Sequence, residues 1–161
     1  MLFPVTAFLS TTQHIFSASV CIDGVTRGFH KLCHSKYENA PWLALDYGRE
    51  TKVLVERVLL FNRRDCCYTR TKNVHIRISN ELPANGKTMF SGGEALGTFK
   101  GPATRGQINE IRSGPGWENK IGRFLIIQMN MGKGGNYLNL HEVQAVGILH
   151  VSPGALYTSR C

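Results

Sequence analysis

Between Asn62 and Arg70 the chain reads Asn-Arg-Arg-Asp-Cys-Cys-Tyr-Thr-Arg, a run that gathers three arginines, one carboxylate and two adjacent cysteines. Guanidinium groups offer several N–H donors in a fixed plane, and charged donors make the stronger hydrogen bonds, so Arg63 and Arg70 suit a ligand rich in acceptor oxygens. Asp65 fits an orienter that accepts from an arginine and fixes its fork, rather than a ligand contact. Arg64 points away from Arg63 on an extended backbone and reads as solvated. Adjacent cysteines have two states. Cα atoms across a trans peptide lie about 3.8 Å apart, whereas disulfides want roughly 4.4 to 6.8 Å, so a Cys66–Cys67 bond would close a strained small ring. Its outer face would be a flat, polarizable, apolar plate beside Arg63 and Arg70, and a sugar ring, apolar on one face and edged with hydroxyls, suits that pairing. The alternative is two thiols, one buried and one exposed; the flanking arginines and Asp65 favour the bond.

Such a segment needs a rigid frame. Val58-Leu59-Leu60-Phe61 before it is an apolar run fit for a buried strand, and Asn73 to Ser79 after it alternates strictly, as a half-buried strand does. The charged run is therefore expected as a surface loop anchored between two strands, where binding groups are commonly displayed. Elsewhere strands are expected at Val5 to Thr12, Pro41 to Gly48 with Trp42 and Leu45 in the core, Lys52 to Phe61, Gly122 to Met129 and Tyr137 to Val146, with shorter extended pieces around Leu96 to Phe99 and Gln107 to Ile111. Turns fall at Ile22-Asp23-Gly24, Pro83 to Lys87 and Gly132 to Asn136, and Val25 to Asn39 reads as a loop. Helical period is weak throughout, so the pattern predicts an all-β, antiparallel β-sandwich.

At 161 residues the sequence is expected to be one domain spanning 1–161, with its core at about 5–150. An apolar content of 42% argues against disorder, and no uncharged apolar run reaches the roughly 18 residues of a membrane span. No direct membrane insertion is expected. The net charge of +8 would attract polyanions, but the basic residues are scattered and no nucleic-acid motif accompanies them, so no nucleic acid is expected as partner. The N-terminal residues lack the basic region of a secretion signal, and Pro4, Thr6 and the Ser10-Thr11-Thr12 run interrupt their apolar character. Five cysteines, at 21, 33, 66, 67 and 161, leave at least one unpaired within the chain. Cys161 reads as a loose thiol. Six histidines show no zinc spacing, and Cys33-His34 lacks a third group to orient a thiol nucleophile, so no enzyme is expected.

The pattern Arg-x-Asp-x-x-x-x-Arg, with Cys66-Cys67 directly after the Asp and His34 upstream, resembles the F-type (fucose-binding) lectins, within the discoidin-like, galactose-binding-like jelly rolls. Pro41-Trp42-Leu43-Ala44-Leu45-Asp46-Tyr47-Gly48 is similar to a strand common across discoidin-like domains. The resemblance implies a jelly-roll sandwich that binds terminal L-fucose or a related sugar through His34, Arg63 and Arg70, with Asp65 as orienter and Cys66 and Cys67 as platform. The fucose methyl group would need an aromatic wall, for which Phe29 with neighbouring His30 is the candidate. The resemblance also implies one structural Ca²⁺, held by Asp23 and Glu142 with backbone groups around Val20, Val25 and His141; hard oxygen ligands suit that ion. Fucosylated glycans as partners, a homo-oligomer or tandem array for avidity, a secreted, extracellular location and a role in cell recognition or innate immunity follow from the same resemblance. The alternative is a discoidin-like module that binds anionic glycan, anionic lipid or a protein partner, with the +8 charge as its support. A ligand-free structural domain is a third reading.

Overall fold

The computed structural model describes residues 1–28, 31–132 and 134–151, with the side chain of Val151 left aside. Phe29, His30 and Cys161, all named above, lie outside the described residues. The strands are β1 (Thr6–Leu9), β2 (Cys33–His34), β3 (Trp42–Asp46), β4 (Thr51–Phe61), β5 (Val74–Ser79), β6 (Glu94–Phe99), β7 (Ile108–Arg112), β8 (Ile121–Gly122), β9 (Phe124–Met129), β10 (Asn139–Leu140) and β11 (Glu142–Val151). One sheet runs β1-β3-β9-β5-β6, a second runs β11-β4-β7 with β8 also on β4, and β10 pairs with β2 in a small ribbon. Every pairing is antiparallel, as an all-β sandwich requires.

The alternation of β5 sends Val74, Ile76 and Ile78 inward, where they meet Leu43 and Leu45 of β3 and Val53, Val55, Val58 and Leu60 of β4 in the core between the sheets. The inward phase of β4 switches from odd to even positions because Glu56 is an extra residue: Arg57 faces Val146 and Val55 faces Gly147. Gly147 is required there, since a β-carbon would stand 1.9 Å from the Leu54 carbonyl oxygen. β9 is buried on both faces, and its outer face packs Phe124 and Ile126 with Trp42, Ala44 and Phe90. Trp42 and Leu45 are thus both core residues, as expected, on opposite faces of β3. Together these layers form the antiparallel jelly-roll β-sandwich anticipated from the sequence.

The differences are local. The opening strand is shorter than Val5 to Thr12, since Ser10 and Thr11 turn their hydroxyls onto Glu38 instead. The segment read as a loop from Val25 contains β2, two residues paired to β10, and the strand expected from Tyr137 breaks at His141 before continuing as β11. A disulfide joins Cys21, in a short 3-10 turn at Ala18–Ile22, to Cys33 of β2, and both are fully buried.

Candidate functional site

The loop after β4 is built on Asn62, whose side chain is buried. Its Nδ2 donates to the carbonyls of Tyr68 and Thr104, each at 2.9 Å, and its Oδ1 accepts from Thr71 Oγ1 at 2.9 Å. That amide ties the loop's base across its own width. Cys67 then takes a left-handed conformation, φ 59°, and the backbone tightens into a 3-10 turn at Tyr68–Arg70, closed by Arg70 N–H donating to the Cys67 carbonyl. The Arg70 carbonyl accepts in turn from Asn136 Nδ2 at 2.8 Å, which fastens this loop to the segment entering β10.

Opposite stands β2. His34 N–H donates to the Phe16 carbonyl and the His34 carbonyl accepts from Gln13 N–H, so the Gln13 to Phe16 loop is laid along the strand. Pairing of β2 with β10, extended by the reciprocal Glu38–Asn136 bridge, puts Tyr137 beside His34. The two rings meet edge to face at 5.2 Å between centroids, and Phe16 approaches His34 from the other side at 6.0 Å.

These pieces enclose a cleft of about 360 Å³ whose lining includes His34, Arg63, Asp65, Arg70, Phe16 and Tyr137. Three residues singled out for sugar binding from the sequence, His34, Arg63 and Arg70, therefore face one cavity. Arg63 is largely buried, and Asp65 grips it on two edges, accepting from Nε at 2.9 Å and Nη2 at 2.6 Å. The Arg63 guanidinium holds the Asp65 carboxyl far below the usual carboxylate range. Arg70 lays its guanidinium over the Tyr137 ring at 4.5 Å, and among the described residues its side-chain N–H groups have no hydrogen-bond acceptor.

His34 is fixed in one tautomer. Nδ1 lies 2.6 Å from the Ser35 carbonyl oxygen, which can only accept, so Nδ1 carries the proton. Burial lowers the pKa of the ring; the Ser35 hydrogen bond opposes this, while Arg63, Arg70 and His14 push it down further. The neutral ring leaves Nε2 as a lone-pair acceptor. The site thus combines an acceptor with two guanidinium donors and an aromatic wall, an arrangement matched to the hydroxyls and apolar face of a saccharide.

The cysteine pair corrects the sequence reading. Cys66 and Cys67 carry separate thiols, their sulfurs 2.7 Å apart with Cys67 Sγ directed at Cys66 Sγ, beyond the bond length of about 2.05 Å. The physical reason is the one that made the bond costly: a trans peptide holds neighbouring Cα atoms closer than a relaxed disulfide wants. The contact with Cys67 and burial raise the Cys66 thiol's pKa. Neither cysteine lines the cleft; Cys66 touches it through Arg63 Nη2, 3.3 Å from its sulfur. The disulfide that does form, Cys21–Cys33, joins a residue two positions before Asp23 to the neighbour of His34.

The two carboxylates expected at a metal come together. Asp23 Oδ1 accepts from Val25 N–H at 2.8 Å, and Glu142 Oε2 accepts from Gly24 N–H at 3.2 Å across the turn. Glu142 is buried, which pushes its pKa up to about 7, with the charge of Asp23 adding to the effect and the Gly24 and Asp23 backbone N–H groups opposing it. Val20, Val25 and His141 lie on the segments that carry these two acids. Among the described residues no group of three or more His, Cys, Asp or Glu could hold a metal, so a cation here would have to be completed by backbone oxygens. A desolvated carboxylate facing a second one, beside a cavity of about 230 Å³, is a fit for a hard cation.

Sequence reasoning missed Tyr137, Phe16 and the bracing amide of Asn62. An aromatic at a strand entry carries no mark of what it faces until β2 and β10 are known to pair. Asn62 sits at the strand-loop junction, where asparagine is common for turn reasons alone.

The family model for a NedA-like, galactose-binding domain matches residues 20–113. No curated protein matches the sequence. Among solved structures, an F-lectin (fucolectin) from the serum of striped bass, Morone saxatilis, aligns with a TM-score of 0.72 at 23% identity over 91% of this chain and 47% of that one. The chain therefore spans about half the length of the striped bass protein. A fucose binding module of Streptococcus pneumoniae aligns with a TM-score of 0.67 at 16% identity, covering 91% of this chain and 94% of that chain. The family 32 carbohydrate-binding module of C. perfringens NanJ, solved with galactose, gives a TM-score of 0.62 at 15% identity, covering 90% and 93% of the two chains. At these identities the likeness is one of fold.

Proposed function

This chain belongs to the NedA-like, galactose-binding domain family, and from that premise we propose that it is a non-catalytic carbohydrate-binding domain that takes a terminal L-fucose, or a closely related sugar, in the cleft between His34 and Arg70. The observation that carries this reading is the convergence of one neutral acceptor, His34 Nε2, with the donors of Arg63 and Arg70 against the Tyr137 ring. Hydroxyls that donate to the imidazole and accept from the guanidiniums would be read by position, while the ring's apolar face covers an aromatic surface. The names of the similar structures, which include fucose-binding and galactose-bound modules, support the ligand class.

The acids of the cleft favour a binding role. Glycoside hydrolysis commonly uses two carboxyl groups flanking the bond. Among the described residues lining the cleft, Asp65 is the one carboxylate, and both of its oxygens are committed to Arg63.

The same reading places Ca²⁺ between Asp23 and Glu142, with backbone oxygens near Val20, Val25 and His141. There it would stabilise the turn. Fucosylated glycans are the proposed partners, and display in several copies, by oligomerisation or tandem repetition, would supply avidity to a single small site. The buried Cys21–Cys33 disulfide supports a secreted, extracellular setting.

Calorimetry with L-fucose and D-galactose, together with a glycan array, tests the proposal. Saturable binding of fucose or fucose-terminated glycans is expected, and a silent array would overturn it.

A further inference from the structure

Asp65 also lines a second cavity of about 300 Å³, together with Gly28, Arg64, Arg105 and His141. Its charges are uncompensated. Neither Arg64 nor Arg105 takes part in a salt bridge among the described residues, and the acid in the wall, Asp65, has both oxygens occupied by Arg63.

The cavity is also built. Arg105 donates Nε to the Arg64 carbonyl, which fixes the plane of its guanidinium and leaves its two terminal nitrogens without an acceptor among the described residues. Arg64 lies across Gly106, a residue with φ 64° whose β-carbon would stand 2.9 Å from Arg64 Cγ; a side chain there would displace the arginine. The side chain of Lys31 passes over Gly28, with Cγ 3.0 Å from the site of a β-carbon, so that the glycine, at φ 138°, is closely covered. His141 is buried to 2% exposure, and Nδ1 is committed to the Lys31 carbonyl. A carbonyl accepts, so Nδ1 carries the proton and Nε2 offers a lone pair, unpartnered among the described residues, in the wall of the cavity.

The geometry points to a second glycan subsite that takes an anionic substituent, a sulfate ester or a carboxylate, on the sugar adjoining the one in the main cleft. This rests on the sugar reading of that cleft. Terminal nitrogens of Arg64 and Arg105 would donate to the anionic oxygens, and His141 Nε2 would accept a hydroxyl of the same ring. Asp65 forms the shared wall, so a ligand reaching over it would touch both cavities. The expected discrimination is directional: neutral glycans bind, and acidic ones bind more tightly.

The test compares three versions of one fucose-terminated oligosaccharide by calorimetry: neutral, sulfated on the adjoining sugar, and carrying a carboxylate there. The wild-type protein should favour at least one acidic version by roughly fivefold or more, a gain typical of charge-assisted hydrogen bonds. Which version wins identifies the anion. Arg64→Gln, which removes no internal hydrogen bond, and the Arg64→Gln/Arg105→Gln pair should erase the preference while the neutral oligosaccharide keeps its affinity and the protein its melting temperature. Equal binding of all three versions by the wild type would overturn the subsite and leave the sugar reading standing. A preference that survives in the double variant would also overturn it, because the general +8 surface would then be its source. If none of the three binds, both readings fall together.

Discussion

Asp65 holds Arg63 by two edges at once, accepting from Nε at 2.9 Å and from Nη2 at 2.6 Å, while Nη2 also donates to Cys66 Sγ at 3.3 Å, so that Arg63 has its outer nitrogen, Nη1, with which to meet a ligand. In the proposed sugar site the carboxylate would act through the arginine. Asp65→Ala would leave a largely buried guanidinium without its partner and free to rotate. Sugar affinity should fall about tenfold, in line with the loss of a charge-assisted hydrogen bond's geometry. Calorimetry on Asp65→Ala and Asp65→Asn checks this; unchanged affinity in both would show that Arg63 needs no orienter.

Arg70→Ala removes donors that have no acceptor among the described residues and costs the fold little beyond a cation–π contact worth about 0.5–1 kcal/mol. Binding to immobilised fucose should drop by about tenfold to a hundredfold, since hydrogen bonds from charged groups contribute roughly 1.5–3 kcal/mol. The melting temperature should move by only a few degrees. Retained binding would remove Arg70 from the site.

Binding should also respond to acid. His34 titrates below its ordinary value near 6.5, because burial disfavours the imidazolium. Above that value Nε2 accepts and affinity should be flat; as pH falls through the lowered pKa, Nε2 gains a proton, becomes a donor and the acceptor is lost. The ring's contribution to stability follows the same sign, complete above the unfolded value and lost as pH drops through the folded one. Fucose titrations from pH 7.5 down to 4.5 should show the decline in the wild type and not in His34→Ala, whose affinity is low throughout.

Glu142 predicts the opposite slope. Its folded pKa is pushed up to about 7, so between the ordinary carboxylate value near 4.3 and 7 the native state binds a proton that the unfolded chain has released. Metal-free protein should lose stability as pH rises across that window, by on the order of 3 to 4 kcal/mol, and level off above it. Calcium, which needs the carboxylate ionised, should restore the loss at pH 7.5. Thermal melts with calcium and with chelator, on the wild type and on Glu142→Gln, read both effects. A wild type indifferent to calcium would sink the proposed ion.

Thiol mapping distinguishes the two cysteine pairs. Alkylation of the native protein should label Cys66 and Cys67 and spare Cys21 and Cys33, in accord with two free thiols in one case and a buried disulfide in the other. Recovery of Cys66 and Cys67 as a linked peptide would restore the sulfur platform that the sequence suggested.

Much of this arrangement was legible from residue order. The alternation of Val74, Ile76 and Ile78 and the apolar run ending at Phe61 announce the strands that hold the loop, and arginine spacing around Asp65 announces the donors. What residue order concealed are features that exist only between distant segments. β2 is two residues long, and no periodicity exists over two residues; its partner β10 lies more than a hundred positions away. Tyr137 therefore gave no sign of being an aromatic wall of the cleft. The Cys21–Cys33 bridge was hidden for a related reason, since it depends on a 3-10 turn lying against the two-residue β2. The bulge at Glu56 reads as a lapse in alternation until Gly147 is seen opposite it.

The bridge has one more implication, for the making of the protein. Closing a loop of this size contributes about 3 kcal/mol, yet it spans only the rim, while the sandwich itself is held by side chains that need no oxidant. A preparation folded in a reducing cytoplasm should give a normal β-rich spectrum and still present a slack edge in which the histidine and the acidic turn wander independently. Weak ligand capture by such material would report the host's redox chemistry, not the merit of the cleft.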